Sequence, residues 1–371
     1  MRRRRADLSR LALPGALPLA VAGGALACAW PGDRTASAPV VTLHEAFVTE
    51  RSPAANLDSV AVWRRSATEA WIVVTAKEGN ALFVYDAGSG AFVRQIGAAG
   101  SGPGQLSRPN GVAVVDDLAI VTERDNRRVQ VFRLPDGESL GTFGAPRLRR
   151  PYGLTVFAEA PGKYAIYLTD NYETPDEQIP PDRELGARVQ QFRFWIEDGA
   201  VRSEWVRAFG DTSGPGVLRK VESIRADPAH DRLLIADEDS ERKDLKVYAL
   251  DGRFTGRTVG EGLFEFEPEG LALYRCGESD GYWIAADQDD RTNTFHVLDR
   301  ATFAHRGAFA GKTTRNTDGV ALTQGAVGPL RQGALYAVHD DSSVSAFAWE
   351  AISAALDLTC DDDEAPPRVD D

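Results

Sequence analysis

Six short alternating strands, each ending in a large apolar residue, recur along the chain: "ALFVYD", "RVQVFR", "RVQQFR", "DLKVYA", "TFHVLD" and "SVSAFA". Their last large apolar residues, Tyr85, Phe132, Phe192, Tyr248, Leu298 and Phe347, lie 47, 60, 56, 50 and 49 residues apart. A period of this length suits the blades of a β-propeller, each of which needs neighbours to bury its faces. Ahead of each anchor stands an apolar strand such as "WIVVT" or "LLIAD", and ahead of that a third, such as "NGVAV" or "EGLAL". A turn rich in Gly and Asp follows the anchor, then a fourth strand, as in "GAFVRQIG". The pattern predicts an all-β, six-bladed propeller of four-stranded antiparallel blades, one domain over residues 39–358. The sixth unit lacks its fourth strand, because "WEAISAAL" turns helix-like. The missing strand is expected from "PVVTLHEAFV" near the N-terminus, which would pair an otherwise open edge.

The chain ends carry other signals. Arg2, Arg3, Arg4, Arg5 and Arg10 precede an apolar, small-residue run from Leu11 to Ala27, the pattern of an export signal over residues 1–27. The run is short and holds Pro14 and Pro18, which argues against a retained membrane span, and no transmembrane segment is expected later. "ALAC" ends it, readable as a small-residue cleavage site or as a lipoprotein box with Cys28 lipidated; a secreted or periplasmic location is expected either way. Removing residues 1–27, which hold five Arg and one Asp, takes the formal net charge from −13 to −17. Nucleic acid is therefore not an expected partner. In an oxidising compartment Cys276 and Cys360 are left to pair. The acidic tail, residues 361–371, reads as disordered, and the protein as a monomer.

Aligning the units exposes two polar positions per blade. The first strands begin with Asp58, Asn110, Tyr152, Glu222, Glu269 and Asp318. Just after the second strands stand Lys77, Arg124, Asn171, Glu238, Gln288 and Asp340, with Asp170, Asp237, Asp287 and His339 immediately before four of them. In a meander the start of the first strand and the end of the second share a face, which in a propeller is one mouth of the channel. Turn chemistry alone favours Asp and Asn at strand ends. Here, however, the charge is segregated: Lys77 and Arg124 come from blades one and two, and the acids come mainly from blades four to six. Carboxylates gathered at one mouth repel one another unless a cation sits among them. Oxygen ligands in this number suit calcium, and five His without a Cys cluster do not suit zinc.

These residues also carry a resemblance to the β-propeller, or alkaline, phytases. It extends over most of residues 40–356 and is strongest at "DSVAVW", "TAKEGNALFVYD", "YGL", "FEPEGLALY", "GYWIAADQ", "NTDGVAL" and "WEAIS". The resemblance implies several calcium ions at the mouth, bridging the phosphates of an inositol phosphate and activating water. It implies Asp58, Glu222, Glu238, Glu267, Glu269, Gln288 and Asp318 as metal ligands, and Asp237 and Asp340 of the acidic arc join that expected set. Lys77, Arg124 and Tyr152 are implied to bind phosphate, and with Glu222 and Glu238 to form the catalytic group. The sequence departs from the family at Asn171, Ser59, Lys312 and Asp340. A non-catalytic envelope propeller that binds a ligand or protein through the same mouth is the alternative expectation. Residues 100–144 resemble an NHL repeat, which speaks to blade architecture.

Overall fold

The computed structural model describes residues 39–66 and 68–360. The expected export signal, Cys28 and the acidic tail lie outside the described residues. Blade one runs Leu57–Arg64, Ala70–Ala76, Ala81–Asp86 and Phe92–Ile96, each strand antiparallel to the next. Blades two to five repeat the meander, opening on Pro109–Val115, Pro151–Ala160, Ile224–Asp227 and Glu267–Cys276. Blade six holds Val320–Gln324, Gly333–His339 and Ser343–Ala348. The first strands of successive blades touch one another around the ring, blade six meeting blade one, so they are innermost.

The N-terminal segment closes the ring in two places. Phe47–Val48 supplies the fourth strand of blade six, antiparallel to Ser343–Ala348. Val41–Leu43 pairs in parallel with His305–Gly311, making blade five five-stranded, which the repeat alignment did not anticipate. "WEAISAAL" forms the helix Trp349–Leu356, and Trp349 stacks on Tyr274 of blade five at 3.7 Å. Beyond it Cys360 is bonded to Cys276, holding the chain end against the same blade.

Each pair of neighbouring blades encloses its own apolar cluster, such as Trp63, Trp71, Leu82, Val121 and Phe132 between blades one and two. Second strands are buried on both faces, which is why "AWIVVTA" and "LAIVTE" read as unbroken apolar runs. Polar side chains then link the blades. Thr75, Thr122 and Thr169, one per blade and fully buried, each accept a backbone N–H from their own first strand. Each donates its hydroxyl to the carbonyl of the next blade's channel residue: Asn110, Tyr152 and Glu222. These bonds fix where the first strands start. Gly153 is required beside them, because a Cβ there would strike the carbonyl of Glu222.

Candidate functional site

The six residues at the starts of the innermost strands surround one end of the channel. Asp58 and Asn110 are buried, as are Glu269 and, from the end of a second strand, Glu238. One carboxylate oxygen each from Glu222, Glu238 and Glu269 lies within 4.8 Å of the others. Burial and mutual repulsion push the pKa of Glu238 and Glu269 well above the usual carboxylate range. Glu222 is raised by burial, against the pull of Lys220. Asp58 and Asp318, the latter strongly, are raised by burial too.

Two ammonium groups enter this cluster. Lys77 Nζ lies 2.6 Å from Asp58 Oδ1 and 3.9 Å from Asp318 Oδ2. Burial disfavours its charge, but Asp58 and Asp318 outweigh that and raise its pKa. Lys220 Nζ lies 3.1 Å from Glu238 Oε2 and 3.2 Å from Glu267 Oε2, and carboxylates likewise overcome burial. Tyr152 directs its hydroxyl to Asp58 Oδ1 at 3.4 Å; burial, then Asp58 and Glu222, raise its pKa well above normal, so it remains a donor. Gln288 donates to Asp318 Oδ1 at 2.6 Å, and Asn171 to Glu222 Oε1 at 3.4 Å.

Most of the expected site therefore comes together: Asp58, Glu222, Glu238, Glu267, Glu269, Gln288, Asp318, Lys77 and Tyr152. Three expected residues are engaged elsewhere. Asp237 accepts the backbone N–H groups of Arg219 and Lys220, at 3.1 and 3.0 Å, and so anchors the loop entering blade four. Asp170 and Asp287 play the same part in blades three and five, which makes this strand-end Asp an architectural feature. Asp340 pairs with Arg51 at 2.6 Å and Arg315 at 3.2 Å, which hold its pKa low. Arg124 turns to its neighbour Asp125, 2.8 Å away. The expected separation of a basic from an acidic arc is correspondingly incomplete, since Lys77 and Lys220 both sit among acids.

Lys220 is the residue that alignment of strand starts passed over. The signal was present two residues upstream, where every blade is polar: Asn56, Arg108, Arg150, Lys220, Glu267 and Asn316. Only spatial closure brings Lys220 of blade four against Glu267 of blade five.

The donor set fits a hard cation. All candidate ligands are oxygens, Glu238 Oε1 and Asp58 Oδ2 are buried without a hydrogen-bond partner, and so is the whole side-chain amide of Asn110. Buried polar atoms are ordinarily satisfied, and calcium accepts oxygen ligands of this kind.

A six-bladed β-propeller with a carboxylate-rich channel mouth is the class that fold and site define. A family model described as a 6-bladed beta-propeller (DUF5128) matches residues 62–180. No curated protein matches the chain. Among solved structures, the Cps50 (Swd1) beta-propeller domain of Myceliophteria thermophila is similar at 8% identity and TM-score 0.50, over 81% of this chain and 99% of that one. A chain of a nidogen/laminin complex aligns at 14% identity and TM-score 0.48, over 70% and 82%. The Kuenenia stuttgartiensis hydrazine synthase aligns at 10% and 0.47, over 80% and 97%. These likenesses bear on fold and carry no activity to this chain.

Proposed function

We propose that the chain is an exported, calcium-dependent phosphomonoester hydrolase acting on phytate. The observation that carries the reading is the convergence of Glu222, Glu238 and Glu269 beside Lys77 and Tyr152. Asp58, Glu222, Glu238, Glu267, Glu269, Gln288 and Asp318 would hold calcium. Bound there, calcium would neutralise phosphate charge and lower the pKa of a coordinated water. Lys77 presents a charged donor to a phosphate oxygen, and Tyr152, held protonated, presents a neutral one. Burial and mutual repulsion make Glu238 and Glu269 hold protons to higher pH than ordinary carboxylates, which suits them to exchanging a proton with water.

Phosphate release from phytate, measured across calcium concentrations with a chelator control, tests the reading. Release that rises with calcium and stops with chelator is expected. No release at any calcium concentration, from folded protein between neutral and alkaline pH, would sink it. The ammonium of Lys220 inside the acid cluster and the diversion of Arg124 favour a second reading, a binding propeller without hydrolysis. Saturable phytate binding without turnover would select it.

A further inference from the structure

His296 and His305 stand nine residues apart on the third and fourth strands of blade five, Thr294–Asp299 and His305–Gly311. A bulge in that strand pair moves the register, so that Val297 is paired with Gly307 but Leu298 with His305. Residues paired across a ladder share a face, as do alternate residues of one strand. His305, Leu298 and His296 therefore lie on one face, the face on which Leu298 packs into the cluster between blades four and five. Without the bulge Arg306 would stand opposite Leu298 in place of His305. The fold supplies the bulge, since the third and fourth strands of blades one to four carry the same shift.

The two rings meet through nitrogen. His296 Nδ1 lies 3.3 Å from His305 Nε2, with the ring centroids 5.3 Å apart and the planes tilted by 56°. Two imidazole nitrogens on one zinc ion, each about 2.0–2.1 Å from it and at the tetrahedral angle, stand about 3.3–3.4 Å apart. His296 is also held from behind. Its Nε2 is buried without a hydrogen-bond partner among the described residues and lies 3.8 Å from Asp287 Oδ2. Asp287 is itself fixed, because it accepts the backbone N–H groups of Glu265 and Phe266, each at 2.9 Å. Phe264 sets its ring edge-on against His296, at 5.5 Å and 86°. A carboxylate on that side favours the tautomer protonated at Nε2 and leaves the Nδ1 lone pair aimed at His305, which is how carboxylates orient metal-binding histidines. His305 is exposed, so the pair is open to an ion from solvent.

We propose that His296 and His305 bind a transition-metal dication of the zinc class on the outer strands of blade five, with water in the remaining coordination positions. Imidazole nitrogen suits zinc, nickel and copper, whereas the oxygen donors at the channel mouth suit calcium. The pair shares no residue with the carboxylate ring and sits on strands outside the innermost layer, so it stands apart from the hydrolase reading.

The test is titration of the full protein with zinc in buffer containing excess calcium, which occupies oxygen sites and leaves imidazole free, followed by calorimetry and by the NMR signals of the histidine rings. Saturable zinc binding is expected, and His305→Gln, at an exposed position that the fold does not need, should weaken it at least about tenfold, since even an outer-shell partner of a ligand is worth about 10–100-fold. The ring signals of His296 and His305 should move together as zinc is added, while those of His44, His230 and His339 stay in place. Absence of saturable zinc binding would leave the two rings as a plain hydrogen-bonded pair and overturn the assignment. So would unchanged zinc affinity in His305→Gln, or ring shifts confined to the other three histidines.

Discussion

Replacing Lys220 by Met removes a tethered cation from the carboxylate cluster while keeping an unbranched chain of similar length. The ammonium now lies 3.1 Å from Glu238 Oε2 and 3.2 Å from Glu267 Oε2. A divalent cation taken up by these carboxylates must share their neighbourhood with it. A single and a double positive charge about 5.5 Å apart repel by roughly 1.5 kcal/mol even at the dielectric constant of water, about a factor of ten in affinity. The low value is appropriate because the Lys220 side chain is 34% exposed and can swing outward. Calcium titration by calorimetry should therefore show at least about tenfold tighter binding in Lys220→Met, and Lys220→Arg should resemble the wild type. Equal calcium affinity in Lys220→Met and wild type would refute the claim that this ammonium competes with the metal. Weaker affinity would mean that it orients Glu238 for the metal instead.

In chelator, Glu269→Gln should gain stability over the wild type as pH rises above the ordinary glutamate pKa of about 4.3, and the gap should widen until Glu269 ionises in the folded protein. The sign follows from a folded pKa raised above the unfolded one: the stability is present while the group is protonated and is lost as pH rises through the folded value. Thermal melts at several pH values check this, and saturating calcium should reverse the order. Thr122→Val leaves Gly111 N–H and the Tyr152 carbonyl without their partner, and should cost about 1–3 kcal/mol in denaturant unfolding. Converting Cys276 and Cys360 to Ser opens a loop of sequence separation 84, for which chain entropy gives an upper bound of about 4.5 kcal/mol. Reduced and non-reduced peptide maps would show whether the bond forms, and calorimetry its effect. Glu222→Gln should weaken calcium binding and phosphate release together, whereas Lys77→Ala should raise the phytate concentration needed and spare calcium affinity.

The blades were legible because a propeller repeats one local pattern, so alternation, turn residues and spacing along the chain carry the same information six times. Ring membership was legible for the same reason, as Asp58, Glu222, Glu269 and Asp318 occupy one register. What register cannot supply is a partner. Asp237 and Glu238 are neighbours in sequence, yet one spends its oxygens on the backbone of its own blade and the other meets the Lys220 ammonium with Oε2 and leaves Oε1 without a partner. Alternation turns adjacent side chains to opposite sides of a strand, and a strand-end pair can present either one to the channel. Arg124 and Asp340 show a related effect: long or exposed side chains take the nearest opposite charge, Asp125 in one case and Arg51 and Arg315 in the other.

From the sequence alone came the six-fold repeat, the closing strand near the N-terminus and the polar register at one mouth, because each is a periodicity along a single chain. Tertiary structure alone decided that Lys220 enters the acid cluster and that Val41–Leu43 extends blade five. Both depend on distances between blades. Those distances are set by side-chain packing and by hydrogen bonds such as those of Thr75, Thr122 and Thr169, which link residues that no local pattern relates.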